Sequence, residues 1–118
     1  IIDCHSFPKF PLPYEFNQEI DRVEICISTD DFHTPPYLRD KFINQFENLG
    51  FSVAVNEPFS GAIVPLKFHN TDTRVRSLMI EVRRDLYMNE KTGEKLRGFA
   101  KLRDSLEKVI LEVYEKHA

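Results

Sequence analysis

Residues 23–55, VEICISTDDFHTPPYLRDKFINQFENLGFSVAV, decide the fold. Val23-Glu24-Ile25-Cys26-Ile27 reads as a short strand, closed by the polar turn Ser28-Thr29-Asp30-Asp31. Thr34 followed by Pro35 predicts a helix N-cap with proline in the first turn. The helix then presents Leu38, Phe42, Phe46 and Leu49 at spacings of four, four and three, which is one helical face. Gly50 stands where a left-handed C-terminal cap belongs. Phe51-Ser52-Val53-Ala54-Val55 follows at once as a second strand. Strand, helix, strand in immediate succession predicts a parallel pair joined by a right-handed crossover. The fold class is therefore α/β, with a mixed, mostly parallel sheet flanked by helices.

The flanking segments extend this pattern. Ile1 to Cys4 reads as the tail of a buried strand running into the loop His5-Ser6-Phe7-Pro8. Lys9 to Glu19 sets Phe10, Tyr14 and Phe16 among Pro11 and Pro13, the composition of an irregular, surface-packed loop. After the turn Asn56 to Gly61 come the short Ala62-Ile63-Val64 segment and a polar loop around His69-Asn70-Thr71-Asp72. Val75 to Val82 reads as a strand centred on Leu78-Met79-Ile80. Thr92 to His117 reads as a long amphipathic helix with the stripe Phe99, Leu102, Leu106, Val109, Val113, widened by Ile110 and Tyr114. Asp104 with Lys108 and Glu112 with Lys116 are i,i+4 pairs in the favourable order. No repeat, low-complexity tract or linker interrupts residues 1–118, which form one α/β domain.

Composition narrows the function classes. A chain of 118 residues, 42% hydrophobic and 30% charged, is long enough to bury a core and is neither a disordered tract nor a disulfide scaffold. Sixteen Lys+Arg against nineteen Asp+Glu give a net charge of -3, so no bulk basic field points to nucleic acid. No apolar run approaches the ~20 residues of a membrane span, and no signal peptide is visible. Two cysteines, Cys4 and Cys26, are read as reduced thiols of a cytoplasmic protein. The chain opens mid-strand on Ile1-Ile2-Asp3-Cys4-His5 without an initiator Met, which predicts a processed chain or a piece of a longer one.

Three places carry candidate chemistry. In Asp3-x-His5, positions i and i+2 of a strand face the same way, so Asp3 would hold one nitrogen of an imidazole that serves as metal ligand or base. The alternative is a histidine in a strand-end turn with an ordinary hydrogen bond. Glu81 sits inside the most apolar later strand, where a carboxylate must be paired or kept neutral. It is either a general base or one half of a Glu81–Arg83 surface pair on an edge strand. Asn56 ends a strand and is either a specificity contact or a turn former. Asp30 and Asp31 are read as turn and helix-start residues with Thr34, and His69 and His117 as solvated histidines. Ser6 lacks a nucleophile elbow, and there is neither a glycine-rich phosphate loop nor a C-x-x-C pair.

Three blocks occur in one order: Asp3-Cys4-His5-Ser6-Phe7-Pro8, then Asn56-Glu57-Pro58-Phe59-Ser60-Gly61, then Ile80-Glu81-Val82-Arg83-Arg84-Asp85-Leu86-Tyr87-Met88. Together they resemble the D-x-H-S-x-P, N-x-P-[FY]-x-G and I-E-[VI]-x-R-x-L-Y-M blocks of the N-formylglutamate amidohydrolase family. The resemblance implies a zinc-dependent hydrolase with a zinc-carboxypeptidase-like fold that cleaves the formamide of N-formyl-L-glutamate in histidine degradation. It implies His5 as a zinc ligand with Asp3 behind it. Glu81 becomes the general base for a zinc-activated water, and Asn56 and Arg84 become contacts to a small acidic N-acyl amino acid. Arg83 departs from the family's usual residue.

The family's other zinc ligands lie in an earlier half with no counterpart before Ile1. The resemblance therefore implies the C-terminal portion of a longer domain, incomplete in its sheet and inactive alone. The alternative is a non-catalytic, self-associating binding domain descended from that family, with a homo-oligomer replacing the missing surface. A third reading builds a metal site from His5, His33 and either Asp30 or Asp31.

Overall fold

The computed structural model describes residues 1–116, so the helix end drawn at His117 and the reading of His117 as a solvated histidine lie outside the described residues. The elements run β1 (Ile2–Phe7), β2 (Ile25–Ser28), α1 (Pro36–Asn48), β3 (Val53–Val55), β4 (Leu78–Arg83), a 3-10 turn (Arg84–Leu86) and α2 (Gly98–Glu115). One sheet has the order β1-β4-β2-β3. β1 and β4 are parallel, β2 and β3 are parallel, and β2 and β4 are antiparallel. This is the mixed, mostly parallel sheet expected, and the β2–α1–β3 unit pairs Ile25 with Val53, Cys26 with Ala54 and Ile27 with Val55.

Alternation along the strands sorts the side chains. Ile25, Ile27, Leu78, Ile80 and Val82 form one core with Phe42 and Phe46 of α1 and with Leu102, Val109 and Val113 of α2. Both helices therefore cover the same face. Residues of opposite parity, Asp3, His5, Phe7, Cys26, Ser28, Met79, Glu81 and Arg83, stand on the other face, which irregular segments cover.

The start of α1 differs from expectation. Thr34 caps no helix amide: its hydroxyl donates to the Ser77 carbonyl at 2.6 Å and accepts from the Asp30 amide at 2.9 Å, tying the helix entrance to β4. Pro35 takes the N-cap in an extended conformation and Pro36 opens the helix. The other end follows the sequence closely. Gly50 has φ +90°, its amide donates to the Glu47 carbonyl, and the Phe51 amide donates to the Phe46 carbonyl. This double bond with a left-handed glycine is a Schellman motif, and the Phe46 and Phe51 rings complete it edge to face at 6.0 Å.

β1 is longer and more exposed than its apolar start suggests. It continues through His5-Ser6-Phe7 rather than turning, and as the outer strand it leaves Ile1, Ile2 and Cys4 exposed. Ala62-Ile63-Val64 forms no strand; its Ile63 carbonyl accepts the Ser77 hydroxyl at 2.7 Å. α2 begins at Gly98, six residues later than expected from Thr92, because residues 88–97 fold back on themselves. Met88 and Lys95 form a β-bridge, and the Asn89 amide donates to the Glu94 carbonyl at 2.8 Å. Tyr114 is exposed rather than part of the stripe. Asp104 pairs with Arg103 at 2.7 Å rather than with Lys108, whereas Glu112 and Lys116 pair at 3.6 Å. Among the described residues no helix is long and apolar enough to cross a membrane.

Gly98 is fixed by space. A Cβ there would lie 2.6 Å from the Leu86 carbonyl oxygen, a backbone atom that cannot rotate away. Alanine ordinarily favours a helix over glycine by about 1 kcal/mol. Here the contact reverses that sign, and Gly98→Ala is expected to destabilise the protein by roughly 1–3 kcal/mol, read from the urea midpoint.

Candidate active site

The register of three adjacent strands, β1, β4 and β2, assembles the site. His5 on β1 is opposite Glu81 on β4, and Glu81 is opposite Cys26 on β2. Asp3 precedes His5 by two residues, so its side chain joins the same face, and its Oδ2 lies 2.9 Å from His5 Nε2. Nε2–H donates to the carboxylate in the neutral imidazole. His5 Nδ1 then remains as an acceptor with no partner among the described residues. The His5 side chain is half exposed, at 51%, and that of Asp3 is 25% exposed.

Glu81 lies one strand further in and is 7% exposed. Its carboxylate makes no hydrogen bond or ion pair among the described residues. Burial pushes its pKa up from the ordinary value of 4.5, and Asp3 adds to the rise; His5 and Arg84 oppose it. The surface pair with Arg83 does not form, and β4 is an interior strand rather than an edge. Arg83 reaches Asp85 at 2.6 Å and the Arg22 carbonyl instead. Arg84, on the 3-10 turn that ends β4, crosses to β1 and donates from Nε to the Ser6 hydroxyl at 3.1 Å and from Nη2 to the Ser6 carbonyl at 3.3 Å.

Asn56 is engaged elsewhere. Its Oδ1 accepts the Thr29 amide at 2.8 Å and its Nδ2 donates to the Thr29 hydroxyl at 2.8 Å, with φ at 56°. It thus pins the ends of β2 and β3 and starts the 56–61 turn, whose Phe59 carbonyl accepts the Ser28 hydroxyl at 2.9 Å. Cys26 Sγ lies 3.4 Å from that same carbonyl, and burial pushes its thiol pKa up.

His33 does not join His5. It is buried, its Nδ1–H donates to the Val75 carbonyl at 2.7 Å, and its Nε2 accepts the Asn70 amide at 3.0 Å. Asp30 Oδ1 accepts the Phe32 and His33 amides. These groups are a turn and a core histidine. No cluster of three His, Cys, Asp or Glu able to hold a metal occurs among the described residues.

Two features had no clear sequence signal. Arg22 is buried, with its guanidinium 5.9 and 5.6 Å from the ring centroids of Phe7 and Phe59, which meet each other edge to face. It binds the Glu15 carboxylate and the carbonyls of Pro8, Asn17 and Glu19. That node folds the loop leaving β1 just after His5, and its only trace in sequence is an arginine preceding a strand. The second feature is an open cavity of about 590 Å³ between β1 and α2, lined by Cys4, Ser6, Tyr87, Phe99 and Leu106. Half of it, the Phe99–Leu106 part, could be read from the helical stripe.

The mixed sheet thus sets an imidazole–carboxylate pair beside a buried carboxylate. The chain belongs to the N-formylglutamate amidohydrolase family, whose sequence model matches residues 1–88. It is also similar to the crystal structure of N-formylglutamate amidohydrolase from Ralstonia eutropha JMP134, with 30% identity and a TM-score of 0.76. That likeness covers 98% of this chain and 42% of the other, so the chain spans less than half the length of that protein. None of the curated proteins matches it.

The site's energetics are testable apart from activity. A carboxylate whose native pKa is raised holds its proton longer folded than unfolded, so its contribution to stability falls as pH rises from 4.5 through the raised value. Glu81→Gln is therefore expected to raise the urea midpoint at neutral pH, with the gain vanishing below pH 4.5. Asn56→Ala is expected to cost about 1–3 kcal/mol by stranding the Thr29 groups. Asn56→Asp, which keeps the acceptor for the Thr29 amide, should cost less in the same denaturation series.

Proposed function

We propose that this chain carries the base and one metal ligand of a zinc-dependent amidohydrolase acting on N-formyl-L-glutamate or a close N-acyl amino acid. The observation that carries the reading is the β1–β4 register, which sets Glu81 directly beside the Asp3–His5 pair. The donor chemistry fits zinc at His5: a neutral imidazole with one nitrogen held by a carboxylate and the other free is the form a metal ligand takes. A catalytic zinc site needs about three protein ligands, and in this reading the others come from outside the described residues. Zinc, when bound, would supply the activation of the attacking water.

The chain's own residues then do the following. Glu81, unpaired and raised in pKa, takes a proton from water as its oxygen bonds to the formyl carbon. It returns that proton to the amine nitrogen as the C–N bond breaks, leaving formate and glutamate. Asp3 fixes the tautomer and orientation of His5. Arg84, held on Ser6 through Nε and Nη2, offers Nη1 to the substrate carboxylate. Asn56 would contact substrate only by releasing Thr29, so in this reading it acts chiefly by holding the 56–61 turn. The compartment in this reading is the cytoplasm, where Cys4 and Cys26 stay reduced.

The test is a chimera in which this chain replaces its counterpart in the Ralstonia eutropha amidohydrolase. Zinc content and formate release from N-formyl-L-glutamate are measured. The chimera should hold zinc and release formate; His5→Ala should lose both, and Glu81→Gln should keep zinc while kcat falls by about 10²–10⁴-fold. A folded, zinc-loaded chimera without formate release, or one indifferent to Glu81→Gln, overturns the assignment. The 118-residue chain by itself is expected to retain no zinc through dialysis and to be inactive.

A further inference from the structure

Arg84 is straddled by an ion pair between its two neighbours in sequence. Arg83 donates from Nε to Asp85 Oδ1 at 2.6 Å and from Nη2 to Asp85 Oδ2 at 3.3 Å, a fork-to-fork pair. Its remaining nitrogen, Nη1, donates to the Arg22 carbonyl, and its amide donates to the Glu24 carbonyl at 2.9 Å. Main chain and side chain of Arg83 are thus both fixed to residues 22–24, and both carboxylate oxygens of Asp85 are fixed to Arg83. Lys9 adds a looser contact to Asp85 at 3.9 Å. The Arg83 and Asp85 side chains are only 17% and 26% exposed, well below those of the neighbouring-residue pairs Arg39–Asp40 and Arg103–Asp104. Shielding of that kind separates an ion pair that holds a conformation from one that water screens.

What the pair straddles is the start of a short turn. Arg84 opens a 3-10 turn of three residues, and no side chain caps it. The far end is secured by main chain: the Tyr87 and Met88 amides donate to the Arg84 carbonyl at 3.1 and 3.0 Å, and the Leu86 carbonyl packs against Gly98 of α2. The near end has only the Arg83–Asp85 clamp. Between its joined neighbours, Arg84 reaches across to β1, where the Ser6 hydroxyl and carbonyl take Nε and Nη2.

We propose that Arg83 and Asp85 are positioning residues, whose clamp across Arg84 holds the 3-10 turn and so keeps the Arg84 guanidinium on Ser6, ready for the carboxylate of an N-formyl amino acid. The inference rests on the reading of Arg84 as a substrate contact and extends it to two residues that touch no substrate.

The clamp and its use are measured separately. In the 118-residue chain, nitrogen–proton correlation spectra should show a slowly exchanging Arg84 Nε–H, identified by its loss in Arg84→Lys. Arg83→Met and Asp85→Asn should each lose that signal while the backbone amide spectrum stays dispersed. Asp85→Asn keeps the side-chain shape and decides the matter if Arg83→Met does not fold. Arg39→Met, which breaks an exposed pair, should leave the signal in place. In the Ralstonia eutropha chimera, Arg83→Met should raise KM for N-formyl-L-glutamate about tenfold with little change in kcat, since the contact it serves lies away from the breaking bond. Arg84→Met should do the same, and the double variant should be no worse than Arg84→Met alone, because Arg83 acts through Arg84. An Arg84 signal that survives both clamp variants overturns the inference. So do additive effects of Arg83→Met and Arg84→Met, or an Arg83→Met that lowers kcat and leaves KM unchanged. If Arg84→Met leaves KM unchanged, or the chimera releases no formate, the reading of the site fails instead, and the spectra alone decide the clamp.

Discussion

The pairing of β4 with β1 on one side and β2 on the other is the constraint on which the rest of the molecule depends. β4 reads Leu-Met-Ile-Glu-Val-Arg, and its buried neighbours Ile80 and Val82 flank Glu81 in sequence. Because side chains alternate, a slip of one residue would drive Glu81 under α1 and α2 and lift Ile80 and Val82 out of the core. The cost of burying an unpaired carboxylate among Phe42, Phe46 and Leu102 holds the register. That register in turn places His5 beside Glu81, so the force that sorts the core also assembles the site.

The polar face is held by a different kind of contact. No helix covers it; two irregular segments do, and backbone groups in irregular chain need partners. Arg22 supplies several at once, collecting carbonyls from Pro8, Asn17 and Glu19 while its own carbonyl takes Arg83. Buried arginine is retained at such a cost only when each donor is met, and here it is met mostly by main chain. Ser28 and Phe59, Thr29 and Asn56, and Thr34 and Ser77 repeat the device on a smaller scale. The loops are thereby tied to the strand ends rather than packed on them.

What was legible in the sequence follows from the range of each interaction. The β2–α1–β3 unit could be read because its signals are local: apolar spacing within one helix, and a glycine at one position of a Schellman motif. Asp3 with His5 was equally local, two residues apart on one strand. The partners of Thr34, Asn56 and Arg83 were not, since each is chosen by a segment distant in the chain: Ser77, Thr29 and Arg22. Arg83 is instructive. Two residues from Glu81 on the same face, it satisfied every local condition for a pair, yet Asp85 and the Arg22 carbonyl took it. The late start of α2 has a similar origin, since the Asn89 turn and the contact of Gly98 with the Leu86 carbonyl are set by packing rather than propensity.

The two groups at the centre of the site differ less in chemistry than in their place across the sheet. His5 and Glu81 sit in one row, a single strand apart. Because β1 is the outer strand, the imidazole stays half exposed and can be reached from outside. Because β4 is interior, the carboxylate beside it is largely buried, and its proton affinity rises. A gradient of burial across one row of the sheet thus separates an accessible imidazole from a carboxylate of raised proton affinity.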